Sequence, residues 1–194
     1  SSAELALEIS PAEQCEPARD IIAEVDRMET WVRELLSYAR PVAAEPHPIT
    51  LTELVDRNLQ DFARETSRRH ITVTTQIPTE LPPVIADSLL LGQVLASLLS
   101  NALEAMRDHG QITVSAELID RAVTLRVADN GPGIPQEQLD KVFKPFFTTK
   151  PKGLGVGLSL AKRIMERFNG DIHIHSQVGH GTTVELKLPA VIEK

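Results

Sequence analysis

Cysteine, tryptophan and tyrosine each occur once in the 194 residues, and aromatics make up only 4% of the chain. The single Cys15 excludes a disulfide framework and a cysteine-held zinc site, and it is compatible with a reducing compartment. With so few aromatics, the core has to be built mostly from Leu, Ile, Val and Ala. No continuous run of about 18 apolar residues occurs, so no bilayer span is expected. No basic stretch followed by an apolar one opens the chain, so no signal peptide is expected either. A starting Met is also missing, which leads us to expect a piece cut from a longer protein. What is present, 42% apolar and 24% charged residues, is ordinary for a globular chain. The length suits one full domain plus an extra element, or two small domains.

Positive charge is in deficit overall, at a net of -7. Residues 1–46 carry 10 acids and 4 bases, a net of -6, and residues 47–194 carry 17 acids and 16 bases, a net of -1. A nucleic-acid binder is more often basic, and no nucleic-acid partner is expected. One stretch runs the other way. Lys141, Lys144, Lys150, Lys152, Lys162, Arg163 and Arg167 face a single acid, Glu166, between 141 and 167. Either this is a solvated basic face or it favours an anionic ligand.

Three prolines within Pro41–Pro48 stop a helix and form a short, stiff linker. Before it, Ile21, Val25, Met28, Val32, Leu35 and Ala39 are spaced four, three, four, three, four, as in a heptad seam. Pro17 suits the first turn of that helix and Pro41 ends it; from 17 to 40 it would be about 36 Å long at 1.5 Å per residue. Leu5 and Ile9 suggest the end of a partner helix, with Pro11 breaking the chain between the two. Either the pair packs as a hairpin on its own domain or it forms half of a dimeric four-helix bundle. After the linker the spacing predicts a helix over 52–68 and a strand over 70–77. It then predicts a helix from the Asp87 cap to about Met106, with Leu91, Val94, Leu95, Leu98, Ala102 and Ala105 on its core face. Strands follow over 111–118 and 122–128 around a turn at 119–121. Last come a helix over 157–168 closed by Asn169-Gly170, and strands over 171–176 and 182–188. This irregular alternation predicts an α+β fold: a two-layer sandwich of a mixed sheet with helices on one face, preceded by the long bundle helix.

Nine of the ten glycines fall between 110 and 181, in groups. Gly153-Leu154-Gly155-Val156-Gly157-Leu158 opens directly into a helix, and its exposed N–H groups add to the positive end of that helix to form an anion site. It follows no strand and lacks the Lys-Ser/Thr of a P-loop, which argues against the commoner nucleotide motifs. The segment before it, 146–152, is polar and basic enough to serve as a mobile lid over phosphates, with Lys150 as its charge contact. Asp129-Asn130-Gly131-Pro132-Gly133-Ile134 follows a strand. An isolated Asp-Asn-Gly is usually only a turn. A carboxylate at the buried end of a strand, however, needs donors, and either an adenine amino group or a backbone N–H meets that need. On the helix after Asp87, Gln93, Ser97, Asn101 and Glu104 form a polar stripe that either faces water or offers the Asn101 carbonyl oxygen to a hard cation such as Mg²⁺.

Taken in order, Asn101-Ala102-Leu103-Glu104-Ala105, Asp129 to Ile134, Phe143 to Lys150 (Phe-Lys-Pro-Phe-Phe-Thr-Thr-Lys), Gly153 to Leu158 and Gly179-His180-Gly181-Thr182-Thr183 resemble the N, glycine, F, glycine and glycine boxes of the sensor histidine kinases of two-component systems. The helix over 21–40 resembles the second helix of their dimerisation and phosphotransfer bundle. The resemblance implies the Bergerat ATP-binding fold over 47–194 and a partial bundle region with linker over 1–46. It implies that ATP is held by Asn101, Glu104, Ala105, Asp129, Gly131, Gly133, Ile134, Phe143, Thr148, Thr149, Lys150, Gly153, Leu154, Gly155, Val156, Gly157, Leu158 and Thr182. Among these, Asn101 would hold Mg²⁺, Asp129 would read adenine and Thr182 would support it. It also implies a second kinase subunit, a response regulator receiver domain as partner, and a cytoplasmic setting in a parent protein that is or is not membrane-attached. Two departures matter. Ser97 stands where the family usually has a second Asn. In addition, none of His47, His70, His109, His173, His175 and His180 has the context of the phosphoacceptor, which we expect just before Ser1. Other ATPases or serine kinases of the same superfamily, and a non-catalytic nucleotide-regulated dimerisation module, are the competing readings.

Overall fold

The structure is a computed structural model; it describes Ile21, Ile22, Glu24, Val25, Met28, Glu29, Trp31, Val32, Leu35, Leu36 and residues 44–150 and 153–192. The chain divides into two units, Ser1–Arg40 with Thr148–Leu154, and Pro41–Phe147 with Gly155–Lys194.

The larger unit runs β1 (His47–Ile49), α1 (Leu51–Arg68), β2 (Thr72–Gln76), β3 (Val84–Ala86), α2 (Ser88–Ala105), β4 (Gln111–Ile119), β5 (Ala122–Asp129), α3 (Gln136–Leu139), α4 (Gly157–Arg167), β6 (Asp171–Gln177) and β7 (Gly181–Pro189). Its main sheet has the order β2-β4-β5-β7-β6. β2 lies parallel to β4 and every other pair is antiparallel. Side chains alternate across this sheet. Ile112, Val114, Ala116, Val123, Leu125, Val127, Val184, Leu186 and Leu188 are buried under the helices. Thr113, Ser115, Arg126, Thr183 and Glu185 take the other face. The fold is thus the expected α+β mixed sheet with helices on one side.

Local chemistry explains the element ends. The Asp87 carboxylate accepts from the N–H groups of Leu89 and Leu90 at 2.9 and 3.1 Å, which satisfies two orphan donors of α2 and is worth about 1 kcal/mol. At the far end, Arg69 donates to the carbonyls of Leu103 and Met106 at 2.7 and 2.5 Å and to Asp108 at 3.1 Å. The end of α1 thereby caps α2, a tie with no local sequence signal. Among the described helices only α2 is long and apolar enough to cross a membrane by composition, but Leu91, Val94, Leu95, Leu98, Leu99, Ala102 and Leu103 are buried in the core.

Several expectations need correction. Part of the proline-rich stretch is strand: His47–Ile49 pairs with Val84–Ala86, and Pro48 is tolerated because β1 is an edge strand with no second neighbour. The hairpin turn holds two residues, not three. Asp120 and Arg121 both have positive φ, 47° and 69°, as a tight primed turn requires, and Ile119 stays in the ladder opposite Ala122. Ala105 is exposed rather than part of the core face.

In the smaller unit, Ile21, Val25, Met28, Val32 and Leu35 are all helical and are 47–65% exposed. The remaining seam position, Ala39, and Leu5, Ile9, Pro11, Pro17 and Pro41 lie outside the described residues.

Candidate functional site

Ser97, Asn101 and Ala105 follow one another at four-residue spacing, so they share one face of α2 about 6 Å apart along the axis. The glycine groups meet this face at both ends. A Cβ built on Gly157, the first residue of α4, would lie 2.7 Å from Ser97 Oγ. One built on Gly131 would lie 3.4 Å from Met106 Cγ, 3.5 Å from Ala105 Cβ and 2.8 Å from Asp129 Oδ1. Half-buried Asn101 therefore sits on the helix between the start of α4 and the Asp129 loop. Glu104, one turn away and exposed, accepts a hydrogen bond from the Ser100 hydroxyl at 2.9 Å.

Asp129 ends β5 and accepts from Gly131 N–H at 2.8 Å. Burial pushes its carboxyl above the ordinary aspartate range, against the pull of the Gly131 and Thr182 backbone N–H groups. Its loop is held in shape from two sides. The Asn130 amide oxygen accepts from Gln111 N–H at 2.8 Å, and Ile134 N–H donates to Ser176 Oγ at 2.8 Å. Gly133 and Gly181 have φ of 72° and 101°, and a side chain at either would overlap backbone carbonyls, those of Gln177 and Asp129 respectively. Thr182 lies directly opposite Asp129 across β5 and β7.

The N-cap residue of α4, Val156, offers no side-chain cap, and the N–H groups at such a helix start are suited to an anion. Gly155 has a φ of 75°, and a Cβ there would lie 2.5 Å from Phe147 O. Val156 is buried, Leu158 half-buried, and Lys162 Nζ stands 5.7 Å above the centre of the half-buried Phe143 ring. Of the predicted site, the larger unit thus gathers the residues of α2, the Asp129 loop, Phe143, the start of α4 and Thr182. Thr148, Thr149, Lys150, Gly153 and Leu154 belong to the smaller unit. There, Thr148 Oγ1 accepts from Lys150 N–H at 3.0 Å and forms a local turn. Pro151 and Lys152 lie outside the described residues.

Residues 86–192 match the family of histidine kinase-, DNA gyrase B-, and HSP90-like ATPases. The chain belongs to that family. Among its relatives, Sensor histidine kinase ZraS of Escherichia coli (strain K12) is 36% identical over 91% of this chain and 38% of its own length. Sporulation kinase D of Bacillus subtilis (strain 168) is 35% identical over 86% of this chain and 33% of its own. The chain therefore spans less than two fifths of the length of these curated relatives. The nucleotide-free catalytic domain of histidine kinase ThkA superposes with a TM-score of 0.70 at 32% identity, covering 75% of this chain and 96% of that one. ThkA in complex with response regulator protein TrrA superposes with a TM-score of 0.79 at 28% identity, covering 97% of this chain and 56% of that one.

Membership of an ATP-binding family fits the donor set on α2. No group of three or more His, Cys, Asp or Glu gathers around a metal among the described residues. Mg²⁺ asks for less, because it keeps most of its waters and takes one or two protein oxygens together with phosphate oxygens. An open groove of about 310 Å³ lies elsewhere, where α1 and α2 meet β2 and β4, lined by Leu59, Phe62, Val73 and Leu103 among others. None of the predicted site residues lines it. Sequence reasoning missed Asn130 and Ser176 as supports of the Asp129 loop. Asn130 stood inside a quoted motif, but Ser176 carried no signal.

Proposed function

We propose that residues 47–194 form the ATP-binding kinase domain of a two-component sensor histidine kinase, and that residues 1–46 supply part of its dimerisation and phosphotransfer region together with a linker. The observation that supports this best is the convergence on α2, where Gly157 meets Ser97 and Gly131 meets Ala105 with Asn101 between them. In this reading Asp129 accepts from the adenine amino group, with Thr182 beside it. Gly131, Gly133 and Ile134 shape the base end. The N–H groups of Gly155 to Leu158 receive the phosphates, and Thr148, Thr149, Lys150, Gly153 and Leu154 are the lid residues of the same ATP-holding set. Phe143, whose ring lies 5.7 Å from Lys162 Nζ, belongs to the same ATP-holding set. Asn101 would hold Mg²⁺ through its amide oxygen, and the ion when bound supplies positive charge to the phosphates. The protein's contribution to transfer is position and field. The bond from the γ-phosphorus to its bridging oxygen breaks as one to an imidazole nitrogen forms, and the ring gives up its N–H proton.

None of the six histidines falls within residues 1–46, so the acceptor in this reading is a histidine on a segment outside this chain. The exposed seam Ile21–Leu35 needs a partner, and a second subunit is the occupant that a dimeric kinase provides. A receiver domain of a response regulator, the kind of partner bound to ThkA, is the onward acceptor. The domain works in the cytoplasm, whether or not its parent protein is attached to a membrane. The test is transfer of label from γ-³²P-ATP to an added segment bearing the phosphoacceptor histidine. Acid-labile label on that histidine, lost when it is substituted, supports the reading. Robust acid-labile label on this chain alone overturns the assignment of the acceptor, and ATP binding with no transfer to any histidine segment overturns the kinase reading.

A further inference from the structure

One row of residues crosses the end of the sheet. Ile112 of β4 lies opposite Asp129 of β5, Asp129 opposite Thr182 of β7, and Thr182 opposite Ser176 of β6. Directly opposed residues of antiparallel strands point to the same side, and Ile112 is buried, so the row faces the helices. Within it, the Ser176 hydroxyl makes three hydrogen bonds. It donates to Gly181 O at 2.8 Å, accepts from Ile134 N–H at 2.8 Å and shares a proton with Thr182 Oγ1 at 2.9 Å.

A serine hydroxyl has one proton and two lone pairs. A carbonyl oxygen can only accept, so that proton goes to Gly181. A backbone N–H can only donate, so one lone pair is taken by Ile134. The remaining lone pair has to receive the proton of Thr182. Thr182 therefore spends its only proton on Ser176, and its oxygen turns nothing but lone pairs toward any ligand. Beside it the Asp129 carboxylate, in its ionised form, can likewise only accept.

We infer that Ser176 is a positioning residue for base specificity: by taking the Thr182 proton it makes the Thr182–Asp129 pair a donor-reading site, which selects a purine with an amino group at its 6-position over one with a 6-oxo group. The inference rests on the reading of Asp129 and Thr182 as the base end of an ATP site. It adds the residue that fixes the polarity of that end. Through Ile134 the same hydroxyl couples the base-reading row to the glycine loop.

The experiment is calorimetric titration of the chain with Mg·ATP and with Mg·ITP, which carries an oxygen in place of the 6-amino group and a proton on N1. The unaltered chain prefers ATP, and Ser176→Ala, by freeing the Thr182 hydroxyl to turn and donate, lowers the ATP:ITP affinity ratio by roughly three- to tenfold, the scale of one neutral hydrogen bond. Ser176→Thr keeps the hydroxyl and keeps the ratio. In a Thr182→Val background, where no proton remains to be directed, Ser176→Ala leaves the ratio unchanged. A role confined to holding the fold would weaken both nucleotides alike. An unchanged ratio in Ser176→Ala overturns the inference. If that variant does not fold, a ratio unaltered by Thr182→Val does the same. Failure of the unaltered chain to bind either nucleotide overturns the ATP site and this inference together, whereas binding with an unmoved ratio overturns only the role of Ser176.

Discussion

Asp129 and Glu185 lie on adjacent strands of one sheet, three residues apart in register, and on opposite faces. Glu185, on the face away from the helices, is held at 2.5 Å by Arg126 Nε; Arg126 also pairs with Glu117, and His175 Nε2 stands 3.5 Å from Glu185. That neighbourhood, Arg126 first, draws the Glu185 carboxyl below the ordinary glutamate range. Asp129, on the helix side, is met among the described residues by the backbone N–H groups of Gly131 and Thr182, and burial raises its carboxyl. The fold favours the charged form of Glu185 and disfavours that of Asp129. Under the proposed reading, the difference separates a structural charge from one that meets a ligand's donors. A burial-raised carboxyl of this kind is a candidate for a functional site.

The comparison breaks most completely at Gly181. A side chain there would run into the Asp129 carbonyl at a φ of 101°. Gly181→Ala should therefore cost roughly 3 kcal/mol of stability, with a fall in the urea midpoint and loss of nucleotide binding. No alanine substitution on the Glu185 side should approach that loss. A midpoint like that of the unaltered chain would mean that the β5–β7 junction at Asp129 is not as tight as described.

A smaller effect sharpens the contrast by its sign. The folded Asp129 carboxyl binds its proton more tightly than the unfolded one, near 3.9. It therefore removes stability as pH rises from that value through its raised folded value. Glu185 does the opposite: its contribution is present above its unfolded value, near 4.3, and disappears as pH falls through its lowered folded value. Urea midpoints across the acid range should thus rise less steeply with pH in Glu185→Gln and more steeply in Asp129→Asn. For Glu185→Gln the loss at neutral pH should be about 1 kcal/mol, since both members of the pair are partly exposed. Parallel profiles for the two variants would remove the distinction.

The smallest effect concerns the start of α4. Gly157→Ala places a methyl group 2.7 Å from Ser97 Oγ. That hydroxyl can turn away at a cost of about 1 kcal/mol, so a modest loss of ADP affinity is expected. Ser97→Ala in the same chain should restore it, because the next nearest atom, Ser97 Cβ, is 4.0 Å away. Equal losses in the single and double variants would show that this contact does not set the approach of α4 to α2.

What the sequence made legible was whatever depends on near neighbours. The cap at Asp87, the alternation of β4, β5 and β7, and the glycine groups all carry their reason within a few residues. The order of those groups along the chain placed the candidate site. The three-dimensional ties were invisible. Arg69 caps α2 from 34 and 37 residues away, and Ser176 reaches Ile134 across 42. The strand at His47–Ile49 was hidden by its proline, since a residue type that ends helices also reads as linker. Ala105 was placed in the core by its helical period, but the loop that meets it there, at Gly131, comes from the far end of β5.

The measurement that tests the central claim most directly is calorimetric titration of the chain and of Asp129→Asn with Mg·ATP and Mg·GTP. If Asp129 is the base-reading carboxylate, the unaltered chain binds ATP and binds GTP much more weakly. Asp129→Asn then loses at least tenfold in ATP affinity, the scale of a hydrogen bond to a charged group at about 1.5–3 kcal/mol, without losing stability at neutral pH. Equal binding of ATP and GTP by the unaltered chain, or undiminished ATP binding by Asp129→Asn, would contradict it.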